Sequence, residues 1–149
     1  MSATPPGAPA ARARLFFYGT LLDPDIRRKV IGRVLPPGQL RPATLAGFRR
    51  VRAAGKWFPM LAPGLAGDTV AGVLALGLTG PELKRVVAYE GDGYGLKRVT
   101  VRLGDGTTAR ARVFVPLAAG GLKPSTEAWD LLDWQRRVKP RVLRLGLMS

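Results

Sequence analysis

The chain has 149 residues, 46% hydrophobic and 23% charged, with 24 Lys and Arg against 10 Asp and Glu and a formal net charge of +14. It contains no His and no Cys, which excludes a Ser-His-Asp triad, a Cys-His pair, a disulfide and the usual zinc site. The size suits one domain with a real core, and no apolar run is long enough to cross a bilayer.

Residues 1–13 are rich in Ala and Pro, lack the apolar core of a signal peptide and read as a disordered leader. Residues 14–149 read as one domain, with a cytoplasmic location expected. Leu15, Phe16 and Phe17 make a buried strand over about Arg14–Tyr18 that stops at Gly19. Asp23 followed by Pro24 is a helix start: a side-chain oxygen for free N–H groups, then a ring already at the helical φ. A first helix is therefore expected over about Asp23–Ile31. Arg33–Gln39 is a Pro-rich connection, and Ala43–Val51 is a strand broken by Gly47. Trp57-Phe58-Pro59-Met60-Leu61 is apolar but holds a proline, which makes it an edge strand or a loop wall. Thr69–Leu78 is a further strand, with Val70, Gly72, Leu74 and Leu76 on one face.

Thr79-Gly80-Pro81-Glu82 opens a second helix with a capping box, and Gly91 closes it after Glu90. Leu83, Val86 and Val87 are its expected buried face, Lys84 and Arg85 its wet one. Val99, Val101 and Leu103, the turn Gly104-Asp105-Gly106, and Ala109, Ala111, Val113 and Val115 spell a hairpin. Ser125 reads as the cap of a third helix over about Thr126–Val138, apolar along Leu131, Trp134 and Val138 and ended or kinked by Pro140. These elements predict an α+β fold: a curled, mostly antiparallel sheet with about three flanking helices.

Without His or Cys, acid–base chemistry falls to a carboxylate, a Tyr or a Lys. Serine occurs at Ser2, Ser125 and Ser149, two of them at the chain ends. There is no P-loop, and Gly91-Asp92-Gly93-Tyr94-Gly95 follows a helix without dinucleotide-binding spacing. Most carboxylates sit at helix starts, in turns or on the last helix; Glu90 and Asp92 have no evident structural task. Glu90 lies at the carbonyl end of a helix beside Tyr89 and Tyr94. Partial negative charge and excluded water both disfavour its ionised form and raise its pKa, as a general acid–base requires. The junction Tyr18-Gly19-Thr20-Leu21 leaves backbone N–H groups free to hold a carboxylate or an oxyanion. Taken separately, each feature has a plain alternative: an edge-of-core turn and a solvated helix-end Glu.

Together the two features carry a family resemblance. Phe17-Tyr18-Gly19-Thr20-Leu21 resembles the YGTL signature of the γ-glutamylcyclotransferase-like (AIG2-like) family, and Ala88-Tyr89-Glu90-Gly91-Asp92-Gly93-Tyr94 resembles its Glu-Gly…Tyr signature. Trp57–Leu61 is similar to its aromatic-Pro segment, Val70–Leu74 to its strand with a central glycine, and Ala111–Val115 to its hairpin. One departure is that Gly95-Leu96-Lys97 intervenes before Arg98, where the family often has Arg two residues after the Tyr, so a different loop is expected there. The resemblance implies a small closed mixed β-barrel with flanking helices and a lateral pocket. It implies that Tyr18, Gly19, Thr20 and Leu21 bind a γ-glutamyl group, that Glu90 is the catalytic acid–base, and that no metal or organic cofactor is needed. The implied reaction is cyclisation of a small γ-glutamyl compound to 5-oxoproline.

Two other readings remain open at this level. One is a non-catalytic module that binds a metabolite or a partner in the same pocket. The other is a small nucleic-acid binder, suggested by the charge and by Phe48-Arg49-Arg50-Val51-Arg52 and Lys56-Trp57-Phe58. Against the latter, the positive charges are dispersed along the chain, as on a solvated basic surface.

Overall fold

The computed structural model describes residues 13–145. The expected leader lies outside them apart from Ala13, which begins the first strand. In chain order the elements are β1 Ala13–Phe17, α1 Pro24–Ile31, β2 Leu40–Ala46, β3 Phe48–Ala53, β4 Pro59–Pro63, β5 Thr69–Leu78, α2 Gly80–Glu90, β6 Tyr94–Leu103, β7 Thr108–Pro116, β8 Pro124–Ala128, α3 Leu131–Arg137 and α4 Lys139–Leu145. A short 3-10 turn, Thr20–Leu22, links β1 to α1.

Five strands close into a barrel in the order β1-β5-β2-β6-β7. Its pairings are antiparallel except the closing one, where β1 runs parallel to β7 with Leu15 opposite Arg112. Gly47 separates β2, in the barrel, from β3, which heads a second sheet of order β4-β3-β8. β4 is an edge strand of that sheet, the position that its prolines require.

Strand alternation sorts the barrel's side chains into two cores, and a smaller third cluster, Val51, Ala53, Met60 and Ala62, belongs to the second sheet. Phe16, Tyr18, Val70, Leu74, Val101, Leu103, Ala111 and Val113 fill the barrel, with Leu76 partly buried against them. The opposite faces of β1 and β5 present Leu15, Phe17, Ala75 and Leu78 to Ile26, Val30 and Ile31 of α1, Val86 of α2 and Trp134 of α3. Each fully buried Leu, Ile or Phe stabilises the fold by about 1.5–3 kcal/mol, so the helices are held chiefly by the outside of the barrel.

The helix ends follow their sequence signals. Asp23 Oδ1 accepts the N–H groups of Asp25 and Ile26 at 2.9 and 3.0 Å, with Pro24 in the first turn. Thr79 and Glu82 form the reciprocal capping box of α2. Glu82 is buried and also takes a bidentate pair from Arg33, at 2.5 and 3.1 Å.

Three expectations are corrected. The chain from Thr126 is first strand, not helix: β8 pairs with β3, and Ser125 Oγ accepts the Glu127 N–H within it. Asp130 caps α3 instead, and the chain breaks at Val138 into α3 and α4, giving four helices among the described residues. Val87 is 42% exposed; α2 touches the barrel along the narrower line of Leu83 and Val86. Gly95-Leu96-Lys97 is not a loop, because β6 begins at Tyr94 and pairs these residues with Val115, Phe114 and Val113. Among the described residues no helix is long and apolar enough to cross a membrane.

Candidate active site

A cavity of about 190 Å³ opens beside the barrel, where β1 ends, α2 ends and β4 begins. Tyr18, Gly19, Thr20 and Leu21 line it, and so does Glu90. The two features singled out in the sequence therefore share one hollow. Phe16, Phe17, Trp57, Phe58, Pro59, Tyr89, Tyr94 and Phe114 complete the wall. Asp92, the other carboxylate without a structural task, is exposed and stands outside it.

The loop after β1 is held rigidly. Tyr18 is buried in the barrel end, where its hydroxyl donates to the Phe114 carbonyl at 2.7 Å. Arg50 Nη1 donates to the Tyr18 carbonyl at 2.9 Å, and Arg27 Nη1 to the Leu21 carbonyl at 3.1 Å. The 3-10 turn uses the N–H groups of Leu22 and Asp23, which donate to Gly19 and Thr20. The N–H groups of Gly19, Thr20 and Leu21 have no partner among the described residues. At Gly19 the backbone passes so close to β4 that a Cβ would stand 2.9 Å from the Pro59 ring.

Glu90 is the last residue of α2, and Gly91 stops the helix at φ 89°, a conformation that a side chain disfavours. Two tyrosines fix the surroundings. Tyr89 shares a 2.7 Å hydrogen bond with Thr20, and Tyr94 donates to the Pro59 carbonyl at 2.7 Å. No hydrogen bond or ion pair reaches the Glu90 carboxylate among the described residues, and burial pushes its carboxyl up to about 7. Burial and the nearby Glu90 charge raise the Tyr18 and Tyr94 hydroxyls well above their ordinary range. For Tyr89 burial, with a smaller part from Glu90, outweighs the Thr20 hydrogen bond and lifts it to about 12. All three phenols thus stay protonated near neutral pH. Glu90 is the one group of the lining that changes its charge there.

Sequence reasoning did not find Phe114. It comes from a strand far along the chain, and its signal is a lapse in alternation: Val113 and Phe114 are both buried, one inside the barrel and one outside. The arginines of the basic stretch Phe48–Arg52 are bonded within the chain. Arg49 donates to the Pro63 carbonyl, Arg50 to the carbonyls of Tyr18 and Ala71, and Arg52 to Glu127 and the Lys56 carbonyl.

The family model described as gamma-glutamyl cyclotransferase, AIG2-like, matches residues 15–135. Among solved structures, a protein from Arabidopsis thaliana is similar with a TM-score of 0.66 at 21% identity, over 89% of this chain and 78% of that one. A second Arabidopsis thaliana protein gives 0.64 at 25% identity, over 89% and 87%. A structure named gamma-glutamyl cyclotransferase gives 0.57 at 16% identity, over 92% and 86%, a likeness of fold. No curated protein matches the chain.

Proposed function

Because the chain belongs to the gamma-glutamyl cyclotransferase, AIG2-like family, we propose that it is a cyclising enzyme that converts a γ-glutamyl compound into 5-oxoproline and a free amine. The observation that carries this reading is that Glu90 lines the same cavity as the turn with three unpartnered backbone N–H groups, where burial lifts its carboxyl to about 7.

The substrate brings its own nucleophile. Folded back, the α-amine lies next to the γ-carbonyl, so the enzyme supplies pose and proton transfer. Ionised Glu90 takes a proton from the α-ammonium. The freed amine attacks the γ-carbon, and the developing oxyanion is met by N–H groups of the Gly19–Leu21 turn. The bond from the γ-carbon to the departing nitrogen then breaks as that nitrogen takes the proton back from Glu90. The second proton of the α-ammonium ends on the same amine, which leaves as an ammonium ion. No water, oxidant or reductant enters the balance. The α-carboxylate of the substrate suits those N–H groups of the turn that the oxyanion leaves free, since no cation lines the cavity.

Incubation with γ-glutamyl amino acids and γ-glutamyl amines, read by 5-oxoproline release, tests the proposal. Binding without turnover across such a panel would replace it with the non-catalytic module.

A further inference from the structure

Resting on the cyclotransferase reading, the outer wall of the same cavity assigns a class of leaving group. Trp57 lines the cavity and is 48% exposed, which leaves much of its indole free for a bound molecule to cover. Its backbone is fixed, because its carbonyl accepts from Trp129 Nε1 at 3.2 Å. Its ring meets Phe58 edge to face, 5.7 Å between centroids and 84° between planes, and Phe58 in turn leans on Tyr94 at 6.2 Å. The wall is therefore a pre-set aromatic corner, continuous with Pro59, whose ring lies beside Gly19 of the turn that carries the N–H groups. Among the described residues that line the cavity there is no Lys or Arg, and Glu90 is the one carboxylate.

We infer that the departing amine is flat, apolar and free of a carboxylate, and that Trp57 selects it by stacking. A leaving amino acid would bring a second carboxylate, beyond the substrate's own, into a cavity that is lined by no cation and already holds Glu90, where neither burial nor charge favours it. An aromatic amine gains ring contact and covers the exposed indole.

Three compounds separate the terms: γ-glutamyl-phenethylamine, γ-glutamyl-ethylamine, which lacks the ring, and γ-glutamyl-phenylalanine, which adds the carboxylate. The expected order of kcat/KM for 5-oxoproline release places the phenethyl compound first, on the order of tenfold above each of the others. In W57A the phenethyl-to-ethyl ratio falls toward one, and in W57F most of it returns. Because the ratio is read within one protein, loss of folded material cancels. A parent ratio near one, a ratio that W57A leaves intact, or equal use of the phenylalanine compound would overturn the inference. Absence of 5-oxoproline from all three compounds would overturn the cyclotransferase reading itself, and the inference with it.

Discussion

The hydroxyls of Thr20 and Tyr89 are joined at 2.7 Å across 69 residues of chain. That single bond ties the turn after β1 to the last turn of α2, two elements that both line the cavity. It fixes the residue next to Glu90 against the loop whose N–H groups are free. Thr20→Val or Tyr89→Phe leaves one hydroxyl without its partner in a partly buried place, costing about 1–2 kcal/mol in stability. Catalysis should suffer beyond that, with kcat falling more than KM rises. A double-mutant cycle on kcat checks it: the two substitutions together should cost little more than either alone.

The stability of the protein should carry the mark of Glu90. Its folded-state pKa of about 7 stands above the ordinary 4.5. Between those values the native chain keeps a proton that the unfolded chain has lost, so stability falls as pH rises through the window. Glu90→Gln removes a charge that is half-buried in the cavity wall. Allowing for partial exposure, it should add about 1–2 kcal/mol at pH 8 and nothing at pH 4. Denaturant unfolding at the two values checks both the sign and the window.

Glu82 behaves in the opposite way. The Arg33 side chain beside it, with the Thr79 N–H, holds its carboxyl down at about 2 despite burial. Its contribution is therefore present above about 4.5 and is lost as pH falls toward 2. Arg33→Met leaves a buried carboxylate without its cation and should cost about 1–3 kcal/mol at pH 7, less at pH 3.

A second ion network holds the C-terminal helices onto the loop after β1. Asp23, fully buried, accepts from Gln135 and Lys139 at 2.8 Å each through Oδ2, and Lys139 also reaches Asp25 at 2.8 Å. Burial pushes the Asp23 carboxyl up, but Lys139, the Ile26 N–H and Gln135 outweigh it and hold it below its ordinary value. The network should loosen as pH falls below the usual Asp range. Lys139→Met should lower stability by about 1–3 kcal/mol at pH 7 and raise hydrogen exchange in the Thr20–Ile26 segment more than in the β6–β7 hairpin.

Gly19→Ala should act locally. The new methyl would stand 2.9 Å from a ring that cannot swing away, so either the turn or the start of β4 must move. The expected result is a rise in KM for any γ-glutamyl compound with a modest loss of stability, about 1–2 kcal/mol, read by kinetics and thermal unfolding on the same sample.

Where period and cap agreed, the sequence was explicit. β5, α1, α2 and the β6–β7 hairpin stand where alternation, Asp23-Pro24, the Thr79–Glu82 box and Gly91 put them. β8 escaped because Pro-Ser-Thr-Glu-Ala is exposed along most of its length and has no apolar face to betray a strand. Val87 is exposed because the barrel surface does not reach it, and an apolar residue near the buried line of a helix reads the same either way. In the site, Tyr18–Leu21 and Glu90 were legible as local anomalies: a strand that stops at Gly19, and a carboxylate at the wrong end of a helix. The wall opposite them was not, since Trp57, Phe58 and Phe114 come together only through the second sheet and barrel closure.

The central claim is that Glu90 moves the proton in a cyclisation that makes 5-oxoproline. The measurement is the pH profile of kcat/KM for 5-oxoproline release by the parent and by Glu90→Gln, on one γ-glutamyl substrate. The parent should rise to a plateau above about 7, the value to which burial lifts the carboxyl. The variant should fold, bind and turn over slower by a factor on the order of 10²–10⁴. A Glu90→Gln protein that forms 5-oxoproline as fast as its parent, with the same profile, would contradict it.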